Sequence, residues 1–127
     1  MNKELKPTAS ELEILQVLWK YKSATVKFVH EKIHKKKNVG YTTTLKIMQN
    51  MAAKNIVRRE LEGRSHVYIP VLQQKETQRF LLDKFLESTF GGSASALVMQ
   101  VLGNNKTSKE ELEQIKELIH KLEVNKS

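Results

Sequence analysis

Cysteine is absent from this 127-residue chain, which excludes disulfide staples, thiol catalysis and any thiolate metal site. Long apolar runs are absent too. Nothing approaches the roughly 18 consecutive apolar residues that would span a bilayer. The opening stretch, MNKELKPTASELEIL, has no apolar segment leading to a cleavage site, so no signal peptide is expected and a cytoplasmic protein is. No internal repeat or low-complexity stretch stands out. The length suits one typical domain, or two small ones sharing a core.

Acidic residues are scarce in one half only. Residues 1–72 carry fourteen Lys/Arg against six Glu, whereas residues 73–127 carry eight of each sign. The whole formal charge of +8 therefore lies at the front. A surplus spread evenly would speak only for solubility. A one-sided surplus points to a polyanionic partner, because each phosphate contact releases condensed counterions. A merely basic surface is the plainer alternative.

Three helices are predicted in that basic half. Thr8-Ala9-Ser10-Glu11 is a capping-box pattern, and Leu12, Leu15, Leu18 and Trp19 follow at helical spacing, with Ile14 and Val17 widening the face. This helix should end near Tyr21-Lys22-Ser23. A second starts at Thr25 and carries Val26, Val29 and Ile33 down to Lys37, and Asn38-Val39-Gly40 then breaks the pattern. The third runs from about Thr42 to Lys54. Its apolar set is Thr44 (through its methyl), Ile47, Met48 and Met51, which leaves Thr42, Thr43, Lys46, Gln49, Asn50 and Ala53 on the other side. Asn55 stands where a left-handed helix terminator belongs.

Two strands are predicted next, Ile56–Leu61 and His66–Val71, joined by the short loop Glu62-Gly63-Arg64-Ser65. Three helices and then a basic hairpin is the element order of a winged helix. From Lys75 onward the chain reads as helix throughout. Phe80, Phe85 and Phe90 belong to one long segment stopped by Gly91-Gly92. Leu97, Val98 and Val101 belong to a short one ended by Gly103-Asn104-Asn105. Leu112, Ile115, Ile119 and Leu122 lie on a last helix behind a second capping box, Ser108 to Glu111. Their 3-4-3 spacing suits a helix–helix seam.

The expected fold is thus mainly α with a small β-hairpin. A winged helix-turn-helix DNA-binding domain would cover residues 1–72, and a helical dimerisation domain residues 73–127. Three helices in about 55 residues make a thin core alone. Phe80, Phe85, Phe90, Leu97, Val98, Val101, Leu112, Ile115, Ile119 and Leu122 are accordingly read as a homodimer interface, the alternative being packing back onto the chain's own winged helix.

Function is read from the third helix. Short polar side chains near a helix N-terminus let the backbone approach base edges: Thr can touch a thymine methyl, Gln or Asn can bond adenine, and Lys can reach phosphate or guanine. A merely solvated face would mix Glu with Lys, yet residues 41–55 hold no acid. The candidate DNA contacts are Tyr41, Thr42, Thr43, Lys46, Gln49 and Asn50, with Arg58 and Arg64 of the hairpin on phosphate or in the minor groove. Thr42 has a local alternative as a capping residue, and Glu60 and Glu62 could pair hairpin arginines. No cofactor, catalytic group or metal is expected.

One pattern points elsewhere. His30-Glu31-Lys32-Ile33-His34 satisfies H-E-x-x-H, the zinc motif of metallopeptidases. Against a zinc peptidase stand the apolar neighbours of His30, the lysine run at 35–37 that would repel a dication, and the want of a third ligand helix. The lysines themselves suit a solvated helix end facing the negative pole of its dipole, with non-specific attraction for phosphate as a second role. Two further alternatives are a winged-helix repressor relieved by a small ligand and an architectural protein without sequence preference.

The run Gly40-Tyr41-Thr42-Thr43-Thr44-Leu45-Lys46-Ile47-Met48-Gln49-Asn50-Met51, followed by Lys54-Asn55-Ile56-Val57-Arg58-Arg59 and by Glu62-Gly63-Arg64 with Tyr68 and Pro70, resembles the penicillinase-repressor family of BlaI/MecI type. Glu11-Leu12-Glu13-Ile14-Leu15 with Trp19, and Phe90-Gly91-Gly92, fit the same template. The resemblance implies a homodimer on a palindromic double-stranded operator, repressing resistance or stress genes. It puts Thr42, Thr43 and Lys46 in the groove. In β-lactam-responsive members a membrane sensor with a cytoplasmic zinc-protease part triggers cleavage of the repressor, and matching the Leu-Val of the short helix places that bond between Gln100 and Val101. Three departures stand out. Asn50 replaces a frequent Arg. Gln100-Val101 replaces the Asn-Phe of the best-known members. The cysteine cluster of copper-responsive members is missing, leaving a β-lactam or cell-wall signal by elimination.

Overall fold

The computed structural model describes residues 6–104 and 106–126. Residues 1–5, read above for a leader, and Asn105, expected in a helix stop, lie outside the described residues. The elements are α1 (Ala9–Tyr21), α2 (Val26–His34), α3 (Tyr41–Ala53), β1 (Val57–Glu62), β2 (Ser65–Pro70), α4 (Gln74–Phe90), α5 (Ala94–Gly103) and α6 (Lys109–Lys126). Two compact units divide within α4, between Leu81 and Leu82. The change in composition, by contrast, falls at residue 72.

The capping box forms as the sequence spells it. Thr8 Oγ1 accepts from the Glu11 N–H at 3.2 Å, and Glu11 Oε1 accepts from the Thr8 N–H at 2.9 Å. Ile14, Leu15 and Leu18 then point inward, where they meet Val26 and Val29 of α2, Met48 and Met51 of α3, and Ile56, Val57, Tyr68 and Leu72 from the hairpin and its flanks. Each such burial is worth about 1.5–3 kcal/mol against an exposed side chain. Trp19 closes one edge by donating its indole N–H to the Leu72 carbonyl at 2.8 Å.

In three places the structure corrects the expectation. Helix α2 ends at His34, not Lys37, because the N–H groups of Lys36 and Lys37 both turn back onto the Ile33 carbonyl. The three lysines therefore follow the helix instead of prolonging it. The hairpin loop has two residues, not four. Glu62 pairs with Ser65, and Gly63 takes φ 64° at the first central position, as a type II′ turn favours. The hairpin is also not alone: Ala24 forms an antiparallel bridge with Tyr68, N–H to carbonyl at 3.2 Å and 2.8 Å. That bridge ties the wing to the α1–α2 connection.

The end of α3 is a Schellman joint. Asn55 adopts φ 63°, its N–H reaches the Ala52 carbonyl at 3.1 Å, and the Ile56 N–H reaches the Met51 carbonyl at 3.0 Å. Ile56 and Met51 are both buried, which supplies the apolar contact of this motif. The joint delivers the chain into β1. Asn55→Val is expected to lower stability by about 1–2 kcal/mol, the cost of a branched side chain in the left-handed region, while Asn55→Gly should be neutral or slightly stabilising. Urea unfolding followed through Trp19, the one tryptophan, measures both. Equal midpoints for Asn55→Val and the parent would refute this account of the helix stop.

In the second unit Ser93 caps α5 by accepting from the Ala96 N–H at 3.2 Å, and Ser108 caps α6 through the Glu111 N–H at 3.1 Å. Phe85 and Phe90 meet edge to face at 5.6 Å. Helices α5 and α6 have no fully buried side chain.

Candidate nucleic-acid interface

Amphipathicity fixes which side of α3 faces out. With Thr44, Met48 and Met51 locked in the core, the 3.6-residue period turns the opposite stripe to solvent. Tyr41, Thr42, Thr43, Lys46, Gln49, Asn50 and Ala53 are all exposed. The cap residue is Gly40, which offers no side-chain hydrogen bond. Thr42 lies inside the helix, so the capping alternative for it fails. Thr44 bonds the Gly40 carbonyl at 3.3 Å. Among the described residues no side chain takes the N–H groups of Tyr41, Thr42 and Thr43. A helix N-terminus with open donors and no acid in its first turn suits a phosphate.

His30 sits directly behind this end. Its Nδ1 lies 3.4 Å from Thr44 Oγ1, and its ring meets Tyr41 edge-on at 5.6 Å. His34 lies one turn on, ring to ring at 5.3 Å. Among the described residues no group of three or more His, Cys, Asp or Glu could hold a metal. The environment of His30 is a packing contact that buttresses the start of α3.

On the hairpin, Arg58, Arg59 and Arg64 are exposed. Arg58 is paired with Glu60 at 2.6 Å, the i, i+2 neighbour on its own strand face, so part of its charge is already answered. Arg64 occupies the turn, and neither it nor Arg59 has an ion pair among the described residues. An open groove between the later part of α3 and the hairpin is lined by Gln49, Asn55, Arg58 and Arg59. Two sequence-derived candidates, Gln49 and Arg58, therefore share one surface with Arg59. The adjacent basic pair Arg58-Arg59 was the signal that could have added Arg59 to the candidates, whereas strand alternation, by putting the two on opposite faces, spoke against it.

Sequence reading also missed Glu11 and Lys54. Glu11 is buried, 4% exposed, and its Oε2 receives the Lys54 ammonium at 2.6 Å. This pair joins the start of α1 to the end of α3. Burial alone would raise the Glu11 carboxyl. The Lys54 hydrogen bond, the Thr8 N–H, the Lys54 charge and the Thr8 hydroxyl together outweigh it and hold the group below its ordinary 4.5.

In the second unit Gln100 and Val101 lie within α5, both exposed. Of the interface candidates, Phe85, Val98, Val101, Ile119 and Leu122 are 45–50% exposed. Phe80, Phe90, Leu97, Leu112 and Ile115 are half-buried. No helix among the described residues is long and apolar enough to cross a membrane.

Comparison with known proteins places this geometry in context. A family model described as penicillinase repressor matches residues 7–121. A penicillinase repressor of Bacillus licheniformis is 24% identical over 110 residues, covering 87% of this chain and 86% of that protein. The transcriptional regulator BlaI of Mycobacterium tuberculosis is 29% identical over 91 residues, covering 70% and 66%. Among solved structures, the DNA-binding domain of the repressor BlaI superposes with a TM-score of 0.52 at 25% identity, covering 60% of this chain and 93% of that domain. Winged-helix architecture and mainly helical class agree with the sequence reading.

Proposed function

The chain belongs to the penicillinase repressor family, and from that membership we propose that it is a transcriptional repressor that binds a palindromic operator as a homodimer in the cytoplasm. The family consists of repressors, not enzymes. The observation that carries the reading is the acid-free outer side of α3, exposed from Tyr41 to Asn50 while the inner side is locked in the core. Thr42 and Thr43 meet base edges, Lys46 and the open N–H groups at Gly40–Thr43 meet phosphate, and Arg64 follows the backbone or minor groove from the wing. Tyr41, Gln49, Asn50 and Arg58 complete the contact surface.

The second unit supplies the partner contact through Leu112, Ile115, Ile119 and Leu122 together with the apolar side chains of α4 and α5. Two subunits then present one α3 to each half-site. Repression is relieved by cleavage between Gln100 and Val101, carried out in response to a membrane-bound sensor. Support for that step is the exposure of both residues.

Titrating the operator upstream of the chain's own gene against salt tests the core of this reading. Log affinity is expected to fall with log salt by about 0.9 per neutralised phosphate. Thr43→Ala is expected to cost about 1–3 kcal/mol on the operator and far less on random duplex. A flat salt profile refutes the DNA assignment. An equal loss on operator and random duplex makes Thr43 a positional contact, not a reader of sequence.

A further inference from the structure

A second basic surface lies on α1 and the end of α2, beside the cleft that Thr43, Thr44 and Ile47 of α3 line. Helix α1 turns Glu11, Ile14, Leu15 and Leu18 inward. A groove of about 470 Å³ along its seam with α2 is lined instead by residues such as Gln16 and Lys20, two positions further on and so about 200° round the helix. No residue of α3 or the hairpin lines it. We propose that this groove binds a small oligophosphate-bearing anion, with Lys20, Lys32, Lys35 and Lys36 as its cationic walls and Tyr21 between them.

Charge, shape and length agree on that ligand. The four lysines come from α1, from α2 and from the turn that follows α2, and none has an acidic partner among the described residues. Glu13, the one acid on the lining, is paired with Lys37 at 2.7 Å, so part of its charge is already answered. The Lys20 and Lys32 ammonium groups stand 5.5 Å and 5.2 Å from the Tyr21 ring centroid. Lys32, with Lys20 beside it, draws the phenol below its ordinary 10.0 despite the opposing effect of burial. Lysines often serve singly at helix C-termini to answer the dipole. Here several repel one another across one concavity, and a bound polyanion relieves that repulsion. From Glu13 to Lys20 the helix rises about 10 Å, which accommodates an extended chain of three phosphates better than a single phosphate.

Calorimetric titration of the full chain with inorganic tripolyphosphate at fixed ionic strength tests the proposal, with orthophosphate as reference. Saturable binding of one anion per chain is expected, at least ~10-fold tighter than orthophosphate, because more than one charge-assisted contact forms. The K32Q/K36Q variant should lose at least ~10-fold in that affinity and K46Q, on α3, less than ~2-fold, since only the former removes contacts to the anion. Operator binding by K32Q/K36Q should stay close to the parent. Absence of saturable binding overturns the proposal. So does equal weakening by K46Q, or a loss of operator affinity in K32Q/K36Q as large as its loss of tripolyphosphate, which would assign these lysines to DNA. Adenosine triphosphate as a further titrant separates the sources: tighter binding than tripolyphosphate means a nucleoside-borne chain, and equal or weaker binding means the anion alone. Because operator affinity is measured separately, failure of the groove leaves the repressor reading intact, and the reverse.

Discussion

For the proposed homodimer, replacing Ile119 and Leu122 together with aspartate is expected to leave a monomer and to weaken operator binding by about 100-fold or more. The two side chains are 49% and 50% exposed on a helix with no fully buried side chain. A second copy is what would cover them. Completing the burial of each gains about 1 kcal/mol, repeated on both subunits, whereas two aspartates would carry charge into the seam at a cost of several kcal/mol. Losing the dimer removes the effective concentration that makes the second half-site contact intramolecular, commonly worth 10²–10⁴ in avidity. Sedimentation reads the assembly, and gel shift on full and half operators reads the binding. Half-site affinity should be nearly unchanged, and Trp19 fluorescence confirms that the first unit remains folded. A variant that still sediments as a dimer would show that α6 is not the seam.

Glu11→Ala is expected to lower the stability of the first unit by about 3 kcal/mol, from the lost cap bond and the broken partly buried ion pair. For a unit of this size that is a fall in melting temperature of about 15 °C. Lys54 keeps 47% of its side chain in solvent, so the figure sits at the low end for a broken pair. Glu11→Gln retains acceptors for the Thr8 N–H and Lys54 and should lose about half as much. The pH dependence has a definite sign. Because the folded carboxyl is held below its ordinary 4.5, its contribution is complete above the unfolded value and is lost as pH falls through that value to the folded one. The gap between parent and Glu11→Gln should therefore be full at pH 7 and shrink below about pH 4. A gap that stays constant down to pH 3 would mean that the charge of Glu11 contributes nothing.

Local signals explain why so much of the winged helix was legible. The Thr8/Glu11 box, the inward spacing of Thr44, Met48 and Met51, Asn55 as terminator and Gly63 in the turn each specify their structure within a few residues. The outer stripe of α3 followed by subtraction once the inner one was known. Contacts between distant residues left no such mark. The Glu11–Lys54 pair spans 43 positions, and Glu11 was already accounted for as a capping residue. The Ala24–Tyr68 bridge involves one residue of a short connection, too little to read as a strand. Helix α2 was drawn too long because lysine is a good helix former, and nothing at Lys35–Lys37 announces that two N–H groups will share the Ile33 carbonyl. Apolar periodicity in α6 marked a sticky stripe equally well for any covering surface.

The bridge between Ala24 and Tyr68 makes the wing a ribbon clamped at its root and free at its end. Its far end, Gly63-Arg64, touches nothing that the helical body depends on, while its near end is stitched both to the α1–α2 connection and, through Asn55, to the close of α3. Lengthening the tip would therefore alter how far the protein grips along its target without disturbing the body, whereas removing a residue between Lys22 and Thr25 would unstitch the ribbon from its base.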